Sequence, residues 1–249
     1  MYFLSENFYF NNISSKSMGI ELVSFDNNTF NQIGMTYQES IDKQDSPSST
    51  PFYINSDNKD TEEIVLNLIL VNNNDEAQVW DEMKIEEVYD WLVTEDFAQF
   101  ISEDNLDKIY YFKVSKIVKQ FTHGETGYLE VTFKPYSNYS YIKSTLEGDN
   151  TIVVNNLSNV DNKYKPVIEL TGTGEVSIVN TTVGSEPLTI TGLEGKVIID
   201  NLFRTVQSED GKNLLPKCNR KWIHLTKGRN VLTVTGGTAK VVCEFPMIG

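Results

Sequence analysis

The sequence predicts a mainly β fold with one helix, arranged as two domains. Three observations carry this. Through the second half, short apolar runs punctuated by Gly, Asn and Asp recur at the spacing of an antiparallel sandwich. One stretch only, AQVWDEMKIEEVYDWLV, has its apolar residues at helical spacing. The charge is also divided unevenly. Residues 1–140 hold 24 acids and 9 bases, net −15, whereas residues 141–249 hold 11 acids and 12 bases, net +1. Such asymmetry points to two domains with different surroundings. The boundary is expected inside KPYSNYSYIKST, Lys134 to Thr145, giving domains 1–140 and 141–249.

In the first domain, Phe3 to Phe10 and MGIELVSF, Met18 to Phe25, read as strands around the turn-prone NNISSKS. DKQDSPSSTPFYINSDNKD, residues 42–60, reads as the most loop-like segment, because its prolines and Ser/Asp content oppose regular structure. TEEIVLNLILVN, Thr61 to Asn72, has a nearly continuous apolar centre and reads as a strand buried on both faces. Trp80, Met83, Val88, Trp91 and Leu92 then form the helical stripe, read as core packing, and Asp81, Glu82, Glu86, Glu87 and Asp90 form the solvated side. IYYFKVSKIV, Ile109 to Val118, and GYLEVTFKPY, Gly127 to Tyr136, form a hairpin around HGETG. Leu129, Val131 and Phe133 should face inward, with Glu130, Thr132 and Lys134 outward.

In the second domain, strands are expected at TIVVNN, VIELTG, VSIVN, PLTITG, KVIID, KWIHL, VLTVTG and AKVVCEF. KPVIELTGTGEVSIVN and its near echo NVLTVTGGTAKVVCEF each read as two short strands about a glycine turn, that is, as β-hairpins. In the last strand Val241, Cys243 and Phe245 point inward.

Composition excludes several function classes. No apolar run approaches the roughly 20 residues of a membrane span. MYFLSENFYFNN lacks the basic and apolar regions of a secretory signal, so synthesis in a cytoplasm is expected. The Asn-x-Ser/Thr sequons at Asn12, Asn27, Asn138, Asn156 and Asn180 then carry no meaning for glycosylation. No basic stripe exists to replace phosphate counterions, so sequence-specific nucleic-acid binding is not expected.

Catalytic chemistry is equally hard to place. There is no nucleophile elbow, Walker loop or HExxH motif. GTGEV, Gly172 to Val176, lacks the Lys-Ser/Thr and helix of a phosphate loop and reads as a hairpin turn. His123 lies in a turn without a partner for general-base work, and His224 reads as a rim residue of KWIHL. Cys218 and Cys243 with these two histidines are too scattered for a zinc site, and Cys243 reads as a buried free thiol. No enzyme, cofactor, catalytic residue or metal site is expected. The single candidate ligand cluster is Trp222 with His224, Asn219 and Arg220, an aromatic for stacking a sugar beside polar groups.

FYFNNISSKSMGIEL, Phe8 to Leu22, resembles the start of the distal tail proteins of long-tailed siphophages. The run from WDEMKIEEVYDWL through IYYFKVSKIV to GYLEVTFKPY is similar to that family's first domain. KPVIELTGTGEVSI, KVIIDNLFRTVQSEDGKNLLP and LTKGRNVLTVTGGTAKVVCEF, in that order, are similar to its second. The resemblance covers nearly the whole chain.

The resemblance implies a first domain with a helix and an extended arm that closes into a hexameric ring, or a dodecamer if two rings stack. It implies a galectin-like sandwich as the second domain. The implied role is a virion hub at the tail tip, joining the tail tube protein to the tail-associated tip protein and the receptor-binding apparatus around a channel for DNA. The 42–60 segment is the expected place for a partner-specific excursion, and aromatics of Met1 to Phe10 are candidates for contacts between copies. The alternative reading is a carbohydrate-binding module for host cell-wall glycans, built on the Trp222 cluster.

Overall fold

The computed structural model describes residues 3–24, 41–44, 52–55, 63–122 and 126–248. They form two compact units that divide between Ser140 and Tyr141.

The first unit contains β1 (Phe8–Phe10), β2 (Ile13–Ser14), β3 (Ile20–Val23), β4 (Ile41–Gln44), β5 (Phe52–Asn55), β6 (Ile64–Leu70), α1 (Glu82–Leu92), β7 (Ala98–Ser102), β8 (Tyr110–Phe121) and β9 (Gly127–Pro135). Seven of these strands form one sheet in the order β2-β1-β7-β8-β9-β6-β3, and every pair with a described register is antiparallel. Its two margins are tied together. The Leu22 amide donates to the Glu6 carbonyl at 2.8 Å and the Ile20 amide to the Ser15 carbonyl at 2.9 Å. Period-two alternation then sends one set of side chains inward. Phe8, Phe10, Phe100, Phe112 and Phe133 fill the interior with Phe3. Phe8 stacks on Phe100 with centroids 5.0 Å apart, and Phe100 meets Phe112 at 5.1 Å. Phe3, Phe8 and Phe10 thus pack inside their own unit rather than facing outward as contacts between copies; Tyr9 is half-buried, and Tyr2 lies outside the described residues.

The helix starts at Asp81, whose carboxylate accepts the Lys84 amide at 2.7 Å as an N-cap. Glu82 in the first turn suits the positive end of the helix dipole. The buried face is Ile85, Val88, Trp91 and Leu92. The Trp91 indole donates to the Phe10 carbonyl at 2.9 Å and stacks on Phe8 at 5.6 Å. Two parts of the predicted stripe need correction. Trp80 is buried but precedes the helix, where its indole donates to the Gly127 carbonyl at 3.0 Å. Met83 is 82% exposed. At 3.6 residues per turn it lies about 180° around the helix from Leu92.

Other expectations also shift. β6 is half-buried rather than buried on both faces, since Val65 is 52% exposed while Leu66 and Leu68 are buried. Within the 42–60 segment, β4 and β5 pair antiparallel, Ile41 opposite Asn55 and Gln44 opposite Phe52. β3 and β6 are hydrogen-bonded neighbours. On β9, Leu129, Val131 and Phe133 face the core as expected, but Thr132 is buried too. The β8–β9 register slips between Val114 and Lys116, and the Ser115 hydroxyl there bonds the Thr132 carbonyl at 3.2 Å.

The second unit contains β10 (Ser140–Gly148), β11 (Thr151–Asn156), β12 (Lys163–Tyr164), β13 (Val167–Asn180), β14 (Leu188–Asp200), β15 (Thr205–Ser208), β16 (Leu225–Thr226) and β17 (Gly228–Met247). One six-stranded sheet runs β10-β17-β13-β14-β15, with β11 also on β17, and β12 pairs β16 separately. The two predicted hairpins are corrected here. VIELTGTGEVSIVN of the first is the continuous strand β13, and NVLTVTGGTAKVVCEF lies within the single strand β17. PLTITG and KVIID likewise merge in β14, and only Leu225 of KWIHL joins a strand.

Glycines make a crease instead of turns. Gly172 sits opposite Gly195 on β14 and Gly237 on β17, and the registers slip beside this row. A Cβ on Gly172 would lie 2.7 Å from the Gly236 carbonyl oxygen and 2.7 Å from Val176 Cγ2. Only glycine allows that approach. Ile168 and Leu170 before the crease and Val176 and Ile178 after it reach the same core, with Val241, Cys243 and Phe245 from β17. Both cysteines are free and buried.

Candidate functional site

The residues singled out for sugar binding lie on the chain between Cys218 and Leu225. Asn219 is occupied structurally. Its Oδ1 accepts the Thr189 amide at 3.1 Å and its Nδ2 donates to the Pro187 carbonyl at 2.9 Å, which anchors the segment to β14. Arg220 is exposed in a left-handed turn with φ 62°. Trp222 is half-buried and packs against the core of the second unit. His224 is half-buried, and its carbonyl accepts Asn180 Nδ2 at 2.8 Å. His123 lies outside the described residues.

The polar groups that organise this unit are asparagines. Asn180 donates to Asn230 Oδ1 at 3.0 Å. Asn230 in turn accepts the Thr226 amide and donates to the Thr226 and Gly228 carbonyls at 2.7 and 2.8 Å. Asn156 donates to the Asp161 and Leu225 carbonyls, and Asn201 joins the Pro166 carbonyl to the Ile223 amide. All four are buried, and their amides satisfy loop backbone that would otherwise be stranded without water. Asn156 and Asn180, which head sequons, are therefore internal supports.

The outer face of β13 carries an ion ladder. Glu169 meets Lys196 at 2.8 Å and Lys240 at 3.5 Å, and Lys196 also meets Glu209 at 3.3 Å. The hydrogen bond from Lys196 holds the Glu169 carboxyl below its usual range. Burial pushes the Tyr164 phenol up to about 12, although its oxygen accepts the Glu244 amide at 2.8 Å. Burial likewise pushes the Cys243 thiol up to about 12 and raises Cys218. The Tyr164, Cys243 and Cys218 shifts follow from burial, and the Glu169 shift from its lysine partner. Among the described residues, no three His, Cys, Asp or Glu side chains converge as metal ligands. None of the described helices is long and apolar enough to cross a membrane.

Large apolar side chains are exposed in both units. The first unit exposes Leu4, Val79, Met83, Val93, Leu106 and Tyr136 among acidic side chains. The second unit exposes Leu202 and Phe203 at one turn.

Residues 3–136 match the family profile described as phage tail protein N-terminal domain. This chain belongs to that phage tail family. A protein of Bacillus subtilis (strain 168), the SPbeta prophage-derived YomH, is 25% identical over 244 residues, spanning 93% of each chain. The fold is similar to SPP1 Dit, described as a paradigm of the hub adsorption apparatus in phages infecting Gram-positive hosts. The TM-score is 0.63 at 12% identity, over 96% of this chain and 98% of that one. A chain of the phage P2 baseplate in its activated, calcium-bound conformation matches with a TM-score of 0.52 at 8% identity, over 96% and 97%. The resemblance to distal tail proteins is thus borne out at the level of family and fold, as is the mainly β class with one helix.

Proposed function

We propose that this phage tail protein is a structural hub of the virion. Six copies close into a ring through the first unit, with the second unit carried as a galectin-like sandwich. The ring joins the tail tube to the tail-tip and receptor-binding proteins, and DNA passes through its channel. The observation that carries this reading is the match of both units, over 96% of the chain, to a hub protein fold. The absence of catalytic motifs in the sequence agrees with a scaffold rather than an enzyme. Exposed apolar side chains on the first unit suit the large contacts an obligate ring needs, on the order of 2,000 Å² per interface or more. Its net charge of −15, if it lines the channel, repels phosphates and lets the genome slide. The paired strands β4 and β5 are offered to a neighbour or adaptor.

A phage with this gene interrupted should produce filled heads but no complete tails. Normal, infectious tails lacking the protein would overturn the hub reading. The second reading, a glycan-binding module, rests on half-buried Trp222. It predicts binding of a host cell-wall polymer that Trp222→Ala abolishes, and no such binding would remove it.

A further inference from the structure

The turn joining β14 to β15 is built to hold two apolar side chains in water. Asp200 Oδ1 accepts the Leu202 amide at 2.8 Å and the Phe203 amide at 2.9 Å. Arg204 closes the turn in the left-handed region, φ 57°, and Thr205 pairs with Asp200. Below it, buried Asn201 donates to the Pro166 carbonyl and accepts the Ile223 amide, both at 2.8 Å. The turn is thereby fixed on three sides. Leu202 is nevertheless 57% exposed and Phe203 76% exposed. A preorganised aromatic tip of this kind loses little freedom on binding, which is what makes an anchor residue effective. Besides Asp200, whose carboxylate accepts the two amides, two cations lie close by in the chain. Arg204 follows Phe203, and Lys165 precedes the Pro166 that holds Asn201. Neither has an acidic partner among the described residues.

The complementary surface is present on every other copy of the chain. Glu82, Glu86 and Asp90 of α1 are exposed at i, i+4 and i+8, a spacing at which like charges repel. None has a cationic partner among the described residues. Exposed Met83 lies on the same side of the helix, about 20° around from Asp90 at 3.6 residues per turn, and exposed Val79 precedes the helix by three residues. We propose that the Leu202–Phe203–Arg204 tip of one copy docks on the acidic outer face of α1 in a second copy. Phe203 packs on Met83 and Val79, and Arg204 neutralises the acidic row. The contact is heterologous, so each copy gives one surface and receives the other, and it repeats around a closed ring. It rests on the ring reading, but adds the second unit to the ring interface.

The test is the concentration at which the full-length oligomer dissociates, read by sedimentation equilibrium, with circular dichroism to check folding. Phe203→Ala should raise that concentration by on the order of tenfold. Arg204→Glu and Glu86→Lys should each raise it severalfold, and the double charge swap should restore it to within about twofold. Unchanged dissociation in Phe203→Ala and Arg204→Glu overturns the tip contact while leaving the ring standing. Effects of the two charge variants that merely add would also overturn it. A wild-type chain that stays monomeric at every concentration overturns the tip contact and the ring together. If Phe203→Ala instead abolishes binding to a cell-wall polymer with assembly unchanged, the tip belongs to that ligand and the proposal fails.

Discussion

Asn180 donates from Nδ2 to Oδ1 of Asn230 across 3.0 Å in the interior of the second unit. The pair bridges β13 to β17, and through Thr226, Gly228 and His224 it fixes the chain that leads into β17. Replacing Asn230 by Ala leaves several buried backbone groups without partners. Each stranded group costs about 1–3 kcal/mol, so a loss of roughly 2–4 kcal/mol is expected. Urea denaturation measures it, and a loss below about 1 kcal/mol would contradict this role.

The crease at Gly172 gives a steric prediction. Gly172→Val places a side chain where the Gly236 carbonyl and Val176 already sit at contact. Overpacking of this kind costs about 1–3 kcal/mol, read as a lower denaturation midpoint. An unchanged midpoint would show that the three strands do not need the close approach.

The thiols should be silent in the folded chain. Burial raises both, Cys243 to about 12, so neither offers a reactive thiolate near neutral pH. A chromogenic disulfide reagent at pH 8 should label neither thiol in native protein and both in denaturant. Rapid native labelling would contradict the packing of Cys218 or Cys243.

Glu169 gives a pH dependence with a definite sign. Its carboxyl is held below the ordinary 4.5 by Lys196, so the folded state favours the ionised form. The stabilisation is present above 4.5 and is lost as pH falls below it, toward the lowered folded value. Glu169→Gln should flatten the fall in stability below pH 4.5 relative to wild type, by a modest amount because the ladder lies on an outer face. Parallel stability curves for the two proteins would contradict the assignment.

Much of the first unit was legible because alternation and helical spacing differ in period. Leu129, Val131 and Phe133, and Val88, Trp91 and Leu92, all sit where their periodicity puts them, whereas Phe8 and Phe10 are core rather than contacts between copies. Met83 was misplaced because the stripe was read too wide: at about 100° per residue it lies about 180° from Leu92, on the solvent side. The second unit was legible as strands but not as connections. A Thr-Gly-Thr-Gly run between apolar pairs suits a hairpin turn and a crease equally. What decides is the row of glycines across three strands, Gly195, Gly172 and Gly237, which depends on register.

The candidate site was less legible. Trp222 drew attention as an aromatic among polar residues, yet it packs on the core. The asparagine network was missed, although a signal for it exists. Asn156 continues the buried phase of Ile152 and Val154, Asn180 that of Val176 and Ile178, and Asn230 that of Leu232 and Val234. A polar residue in the inward phase at a strand end marks a buried bond to a loop. The exposure of Phe203 depends on the Asp200 turn and the Asn201 anchor, which bring together residues 166, 200 and 223.

The most direct measurement is the mass of the purified full-length protein by light scattering after size exclusion, with electron micrographs of the same peak. A hub should elute at six chain masses, or twelve if two rings stack, and show closed rings with an open centre. A concentration-independent monomer, with no ring in the micrographs, would contradict self-assembly as a hub and turn attention to the second unit as a binding module acting alone.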